Sequence, residues 1–118
     1  MIGSVGGFLS VAFGAFGAHA IKQVLSADLM TIYQTAVSYQ IYHSLALILI
    51  ALIYQQHPHQ LVKVAGWLML CGTIIFSASL YTLALTDTRW LGAITPLGGS
   101  LLLLAWLLLA LGTGKKSL

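Results

Sequence analysis

Residues 36–54 have the sequence AVSYQIYHSLALILIALIY, which contains no Lys, Arg, Asp or Glu. The hydrocarbon core of a bilayer is ~30 Å thick, and a helix needs ~20 mostly apolar residues to cross it. A run of this length and composition therefore predicts a transmembrane helix.

Three further windows before and after this run have the same character, at residues 2–21, 64–85 and 91–112. The segments between them are short and carry most of the charged residues. The sequence thus predicts an all-α fold, an integral membrane bundle of four transmembrane helices in one domain, residues 1–118. An even number of spans places both termini on the same side of the membrane.

The composition excludes several classes of protein. Only 6% of the 118 residues are charged and 59% are hydrophobic, whereas an ordinary soluble domain is ~25% charged. The five cations are spread between apolar runs and do not form a patch that could bind nucleic acid. The single cysteine, Cys71, cannot form an intrachain disulfide, so we expect a small apolar filler.

The distribution of cations predicts the orientation. Lys63, Lys115 and Lys116 share one side, and Lys22 and Arg89 share the other. The positive-inside rule then favours both termini in the cytoplasm. Residues 18–20 match the small-x-small pattern of a signal cleavage site, but no basic residue precedes the apolar run, so we expect the first span to be retained.

Two helix starts are recognisable from local chemistry. Ser26 is a suitable N-cap with Asp28 in the first turn, which predicts a helix from residue 27 that extends beyond the apolar run. Thr95 as N-cap and Pro96 at the first helical position would begin the last helix and leave residues 92–94 irregular. The start at Thr95 and Pro96 is either a simple span boundary or a helix N-terminus whose partial positive charge attracts anions.

With both termini in the cytoplasm, the polar residues inside the spans all fall in the outer half of the bilayer. A polar side chain in lipid is costly unless it has a partner, so these residues should face other helices or water. We predict that they form one intramembrane polar cluster with these members: His19, Tyr39, His43, Ser77, Ser79, Tyr81, Thr95 and Pro96.

His19 and His43 are the intramembrane groups of this cluster that titrate near neutral pH. Three roles are open for them: structural hydrogen bonding, proton or substrate coupling, and metal or haem ligation. Two histidines without a nearby Cys or acid make a poor metal site, so we expect no metal and no cofactor.

The first span carries small residues at alternating spacings of four and three: Gly3, Gly7, Ser10, Gly14 and Gly17. Such a stripe lets a neighbouring backbone approach closely. The neighbour is either another helix of the same chain or a second copy of the protein.

Four blocks of sequence carry a family resemblance: FGAFGAH at residues 13–19, YHSLAL at 42–47, FSASLY at 76–81 and LGAITPLGG at 91–99. In this order they resemble the YgdD-like small inner-membrane proteins, whose eukaryotic relatives are called transmembrane protein 256. The resemblance implies a four-span protein of the bacterial cytoplasmic (inner) membrane with an uncharacterised function, and it adds no substrate.

No catalytic constellation is present, because the chain has no Glu and both of its Asp residues lie outside the spans. We therefore expect a non-enzymatic accessory or assembly component whose partners are the lipid bilayer and a second copy or other membrane proteins. The alternative is a small oligomeric proton-coupled transporter or channel that uses His19 and His43.

Overall fold

The computed structural model describes residues 1–21 and 24–114, and every regular element in those ranges is helical. Lys22, Lys115 and Lys116, which contribute to the predicted orientation, lie outside the described residues. The elements are α1 (Ile2–Val11), a π-helical segment (Ala12–Gly17), α2 (Ala18–Ile21), α3 (Ala27–Gln56), α4 (Gln60–Thr86), a 3₁₀ helix (Arg89–Ala93) and α5 (Thr95–Gly114).

Three helical segments are long and apolar enough to cross a membrane. They are α3 with 30 residues, α4 with 27, and the 3₁₀ helix together with α5, which span 26. At 1.5 Å per residue an α-helix of this length measures ~40 Å, more than the hydrocarbon core requires. The first helix is apolar over Ile2–Ala15 only, so its passage through the bilayer stays a prediction.

The helix starts follow the predicted chemistry in part. The Ser26 hydroxyl accepts a hydrogen bond from the Leu29 N–H at 3.2 Å, which confirms the cap of α3. The last helix begins at Thr95, but the expected cap is wrong because the Thr95 side chain binds Ser79 instead. The segment before it is a 3₁₀ helix through Ala93 and not irregular backbone.

The helices lie side by side in one row, α1 on α3, α3 on α4 and α4 on α5. The Cα atoms extend over 55 × 27 × 16 Å. With neighbouring helices at the usual spacing of about 8–10 Å, the cross-section of 27 × 16 Å is longer in the direction from α1 to α5 than across it. Within the described residues the helices of the expected bundle contact one another mainly in the order α1, α3, α4, α5, an arrangement that we call the helix row.

Small residues bring the neighbours of the row into close contact. A Cβ atom at Gly98 of α5 would lie 2.5 Å from the Phe76 nitrogen, and one at Gly72 of α4 would lie 3.0 Å from the Gly98 oxygen. The buried core between α3, α4 and α5 continues from this crossing and includes Ala46, Ile50, Ala65, Met69, Leu102 and Ala105.

Candidate functional site

The predicted cluster is divided in the structure, because its polar side chains bind partners at different contacts of the row. One group connects α3 with α5, a second connects α1, α3 and α4, and a third connects α4 with α5. Among the described residues, every buried side-chain nitrogen and oxygen has a hydrogen-bond partner.

His43 connects α3 with α5. Its Nε2 accepts a hydrogen bond from the Trp106 indole N–H at 3.1 Å. Its Nδ1 lies 2.7 Å from the Tyr39 carbonyl oxygen in the preceding turn. Because Nε2 accepts a hydrogen bond and Nδ1 faces a carbonyl oxygen, the ring is assigned as the neutral tautomer with its proton on Nδ1. His43 is 6% exposed, and its side chain joins the two helices through these bonds.

Gln40 connects three helices, and the sequence reasoning missed it. Its amide N–H donates to the Gly6 carbonyl of α1 at 3.0 Å, and its amide oxygen accepts from the Tyr81 hydroxyl of α4 at 2.6 Å. The Tyr33 hydroxyl donates to the Phe13 carbonyl of the π-helical segment at 2.7 Å. The signal was the spacing, since Tyr33, Gln40 and His43 recur at seven and three residues on one face of α3.

Ser77 and Ser79 form the remaining contacts of α4. The Ser77 hydroxyl donates to the Ala36 carbonyl of α3 at 3.1 Å. The Ser79 and Thr95 hydroxyls lie 2.7 Å apart, and Ser79 also reaches the Phe76 carbonyl at 2.8 Å. These bonds give each hydroxyl a partner inside the row.

The structure does not bring His19 to the other members of the cluster. His19 is exposed on α2, two residues after Gly17, and Gly17 lies against the Tyr33 hydroxyl. Ten residues of α3 separate Tyr33 from His43, a distance of ~15 Å along the helix. Placement of both histidines in the outer half of the bilayer therefore did not mean that they lie close together. Within residues 1–21 and 24–114, no three His, Cys, Asp or Glu side chains could hold a metal ion together.

The small-residue stripe of the first helix lies along α3 of the same chain. A Cβ atom at Gly3 would lie 2.8 Å from both the Ile48 side chain and the Ser44 oxygen of α3. A Cβ atom at Gly14 would lie 3.0 Å from the Val37 side chain of the same helix. The other members contact the same surface or lie beside it: Gly7, Ser10 and Gly17. Packing within the chain accounts for the stripe.

Cys71 differs from expectation, and two tyrosines lie between helices. Cys71 is exposed on α4 and is not a buried filler. Tyr33 is 4% exposed, and its ring stacks edge to face with that of Tyr81, with the ring centroids 5.4 Å apart. Their hydroxyls find partners only between helices, which explains their interior position.

An open groove of ~720 Å³ lies between α3 and α5, with Phe76 of α4 at its base. We call it the α3–α5 groove. Tyr39 stacks on Phe76 with ring centroids 4.3 Å apart, and the His43–Trp106 hydrogen bond crosses the inner end. The other lining residues are Tyr42, Pro96, Gly99, Ser100, Leu102 and Leu103.

Long apolar helices whose polar side chains bind one another define an integral membrane protein of the all-helical class. The chain belongs to the family described as "Protein of unknown function (DUF423)", whose profile matches residues 13–99. It is 45% identical over 115 residues to a "UPF0382 membrane protein" of Staphylococcus epidermidis, covering 98% of this chain and 93% of that protein.

A second relative is "UPF0382 membrane protein YwdK" of Bacillus subtilis, 36% identical over 116 residues that cover 98% of this chain and 94% of that protein. No solved structure gives a significant match. The comparisons confirm a transmembrane protein of an uncharacterised family, which is the kind of family that the sequence predicts.

Proposed function

We propose that this protein is a non-enzymatic assembly component of the bacterial cytoplasmic membrane, and that it binds a transmembrane helix in the α3–α5 groove. The observation that carries the proposal is the helix row itself. Both α3 and α5 pack on α4, and the groove between them, with Phe76 of α4 at its base, is open on its other side.

The walls of the groove suit a helix. The α5 wall of the groove carries residues that project little into it, namely Pro96, Gly99 and Ser100. Small residues let two membrane helices approach closely. The wall from Pro96 to Trp106 is ~15 Å long, which is about three helical turns.

The partner that this geometry favours is a second copy of the chain. Leu103 is 74% exposed at the edge of the groove. In a dimer with two-fold symmetry, the Leu103 side chain of each copy would enter the α3–α5 groove of the other, because such an interface uses the same surface twice.

The competing hypothesis of proton-coupled transport has less support. Both ring nitrogens of His43 already face hydrogen-bond partners, and His19 lies well away from it. The cytoplasmic placement of the termini and the narrower YgdD-like resemblance stay predictions, since the relatives are named only as membrane proteins.

The test is self-association of purified, fluorescently labelled protein in liposomes, measured by energy transfer at decreasing protein density. Wild type should keep its energy transfer on dilution, and Ser100→Phe should lose most of it because the ring fills the groove. Ala78→Phe is the matched control, since Ala78 is exposed on α4 away from this groove, and it should behave as wild type.

A monomeric wild type at all densities would contradict the proposal. So would a Ser100→Phe variant that still associates with wild-type affinity. Helix content by circular dichroism must match in all variants, so that loss of association is separated from loss of fold.

A further inference from the structure

A second groove, of ~410 Å³, lies where the start of α1 meets α3 and α4, beside the α3–α4 loop. We call it the Lys63 groove. Gly66 forms part of its surface and leaves room there because it has no side chain. Leu47, Ile50 and Leu70 make the deeper part apolar. The wall from Leu47 to Tyr54 runs for ~10 Å along α3.

The mouth of this groove has the chemistry of a membrane surface. Lys63, Tyr54 and Trp67 line it and all three are exposed. Tyr54 precedes the end of α3 by two residues, and Lys63 follows the start of α4 by three. Aromatic and basic residues at helix ends are the usual anchors at the level of the lipid headgroups.

Lys63 has no side-chain carboxylate within reach. The chain contains two acidic residues in total, and both bind Arg89 at the other end of the row, Asp28 at 2.9 Å and Asp87 at 2.6 Å. The end with the α3–α4 loop therefore presents a cation with no acidic side chain to pair with it. In the sequence, Lys115 and Lys116 follow directly after α5, whose Gly112 lies against Val62 of α4.

We propose that the Lys63 groove binds an anionic phospholipid. The phosphate lies at the Lys63 ammonium group, Trp67 and Tyr54 contact the glycerol region, and one acyl chain follows the apolar wall past Gly66. An anionic lipid supplies both the missing negative charge and an apolar chain that fits the groove, which a zwitterionic lipid does only in part.

The experiment is native mass spectrometry of the full-length, delipidated protein with equal amounts of phosphatidylglycerol and phosphatidylcholine of identical acyl chains. We expect wild type to retain phosphatidylglycerol about fivefold in excess, the effect of one lysine near an anionic headgroup. Lys63→Gln should retain the two lipids equally, and Lys63→Arg should keep the preference. Ala51→Phe, which fills the groove, should reduce retention of both lipids.

Two controls locate the site. Ala110→Phe places the same ring on an exposed position of α5 outside the groove and should change nothing. Lys115→Gln with Lys116→Gln should leave the preference intact. Equal retention of both lipids by wild type, or a preference that follows residues 115 and 116 instead of Lys63, would overturn the proposal. Either result is independent of self-association through the α3–α5 groove.

Discussion

The hydrogen bond between His43 and Trp106 joins α3 to α5 at the α3–α5 groove. Its loss should lower the free energy of unfolding by a measurable amount. His43→Ala leaves the indole N–H without an acceptor inside the protein, which we expect to cost ~1–3 kcal/mol. His43→Gln should recover much of this, because an amide oxygen can accept the same bond. The measurement is the free energy of unfolding in mixed micelles titrated with denaturing detergent.

A double-mutant cycle isolates this bond from other effects of the substitutions. His43→Ala combined with Trp106→Phe should show a coupling energy of ~1 kcal/mol. Tyr42→Phe, on the exposed side of the same turn, is the matched control and should stay within ~0.5 kcal/mol of wild type. A coupling of zero would show that the two side chains do not interact in the membrane protein.

The sequence shows which polar residues need hydrogen-bond partners, but it does not show which residues supply those partners. His43 stands out because an imidazole in an apolar run requires hydrogen bonds. Its partner, Trp106, is 63 positions away and has no local signature. Gln40 lies in the more polar first half of α3, yet it is 8% exposed and its side chain is turned toward other helices. Sequence position gives approximate depth and not the direction a side chain faces.

The contact between α4 and α5 offers a paired test at the level of helices. A Cβ atom at Gly98 would meet the Phe76 nitrogen and the Gly72 oxygen, at 2.5 and 2.9 Å. Backbone atoms cannot move aside as a flexible side chain can, so Gly98→Ala must force the helices apart. We expect a loss of ~1–3 kcal/mol in the free energy of unfolding.

Gly99→Ala is the matched control on the same turn of α5. Its Cβ would lie 3.8 Å from the Phe76 ring, an ordinary contact, so stability should not fall and should rise by up to ~1 kcal/mol because Ala is the better helix former. Equal effects of the two substitutions would contradict the close crossing of α4 and α5.

Helix positions followed from the sequence better than helix contacts did. Hydropathy located three long helices, and the Ser26 cap located the start of α3. The tight crossing at Gly72 and Gly98 was not predicted, because only the first span has a regular series of small residues. Two single glycines on different helices form a contact that no periodicity within one helix reveals.

The arrangement in a row could not be predicted from the pattern of hydrophobic residues. In a soluble protein the apolar side of a helix marks the interior, but in a bilayer the lipid-facing side is equally apolar. Both sides of each helix therefore look alike, and a closed bundle and an open row have the same hydropathy. The polar bonds add contacts that hydropathy does not reveal, since Gln40 ties α3 to α1 and α4 while His43 ties it to α5.

The distribution of charge over the whole molecule predicts its orientation. At one end Arg89 binds both acidic residues of the chain, Asp28 and Asp87. The end with the α3–α4 loop carries Lys63 with no acidic partner, and residues 3 and 112 contact the helices near this end, at Ile48 and Val62. The positive-inside rule therefore predicts that this end lies in the cytoplasm.

Cysteine labelling in intact cells checks this orientation. On a Cys71→Ala background, Thr88→Cys should react with a membrane-impermeant maleimide, whereas Gln56→Cys should react only after the cells are permeabilised. The wild-type protein is the negative control, because its Cys71 is exposed in the middle of α4. Lipid should cover it, so it stays unlabelled under both conditions. Labelling of Gln56→Cys in intact cells would reverse the orientation and move the Lys63 groove to the outer leaflet.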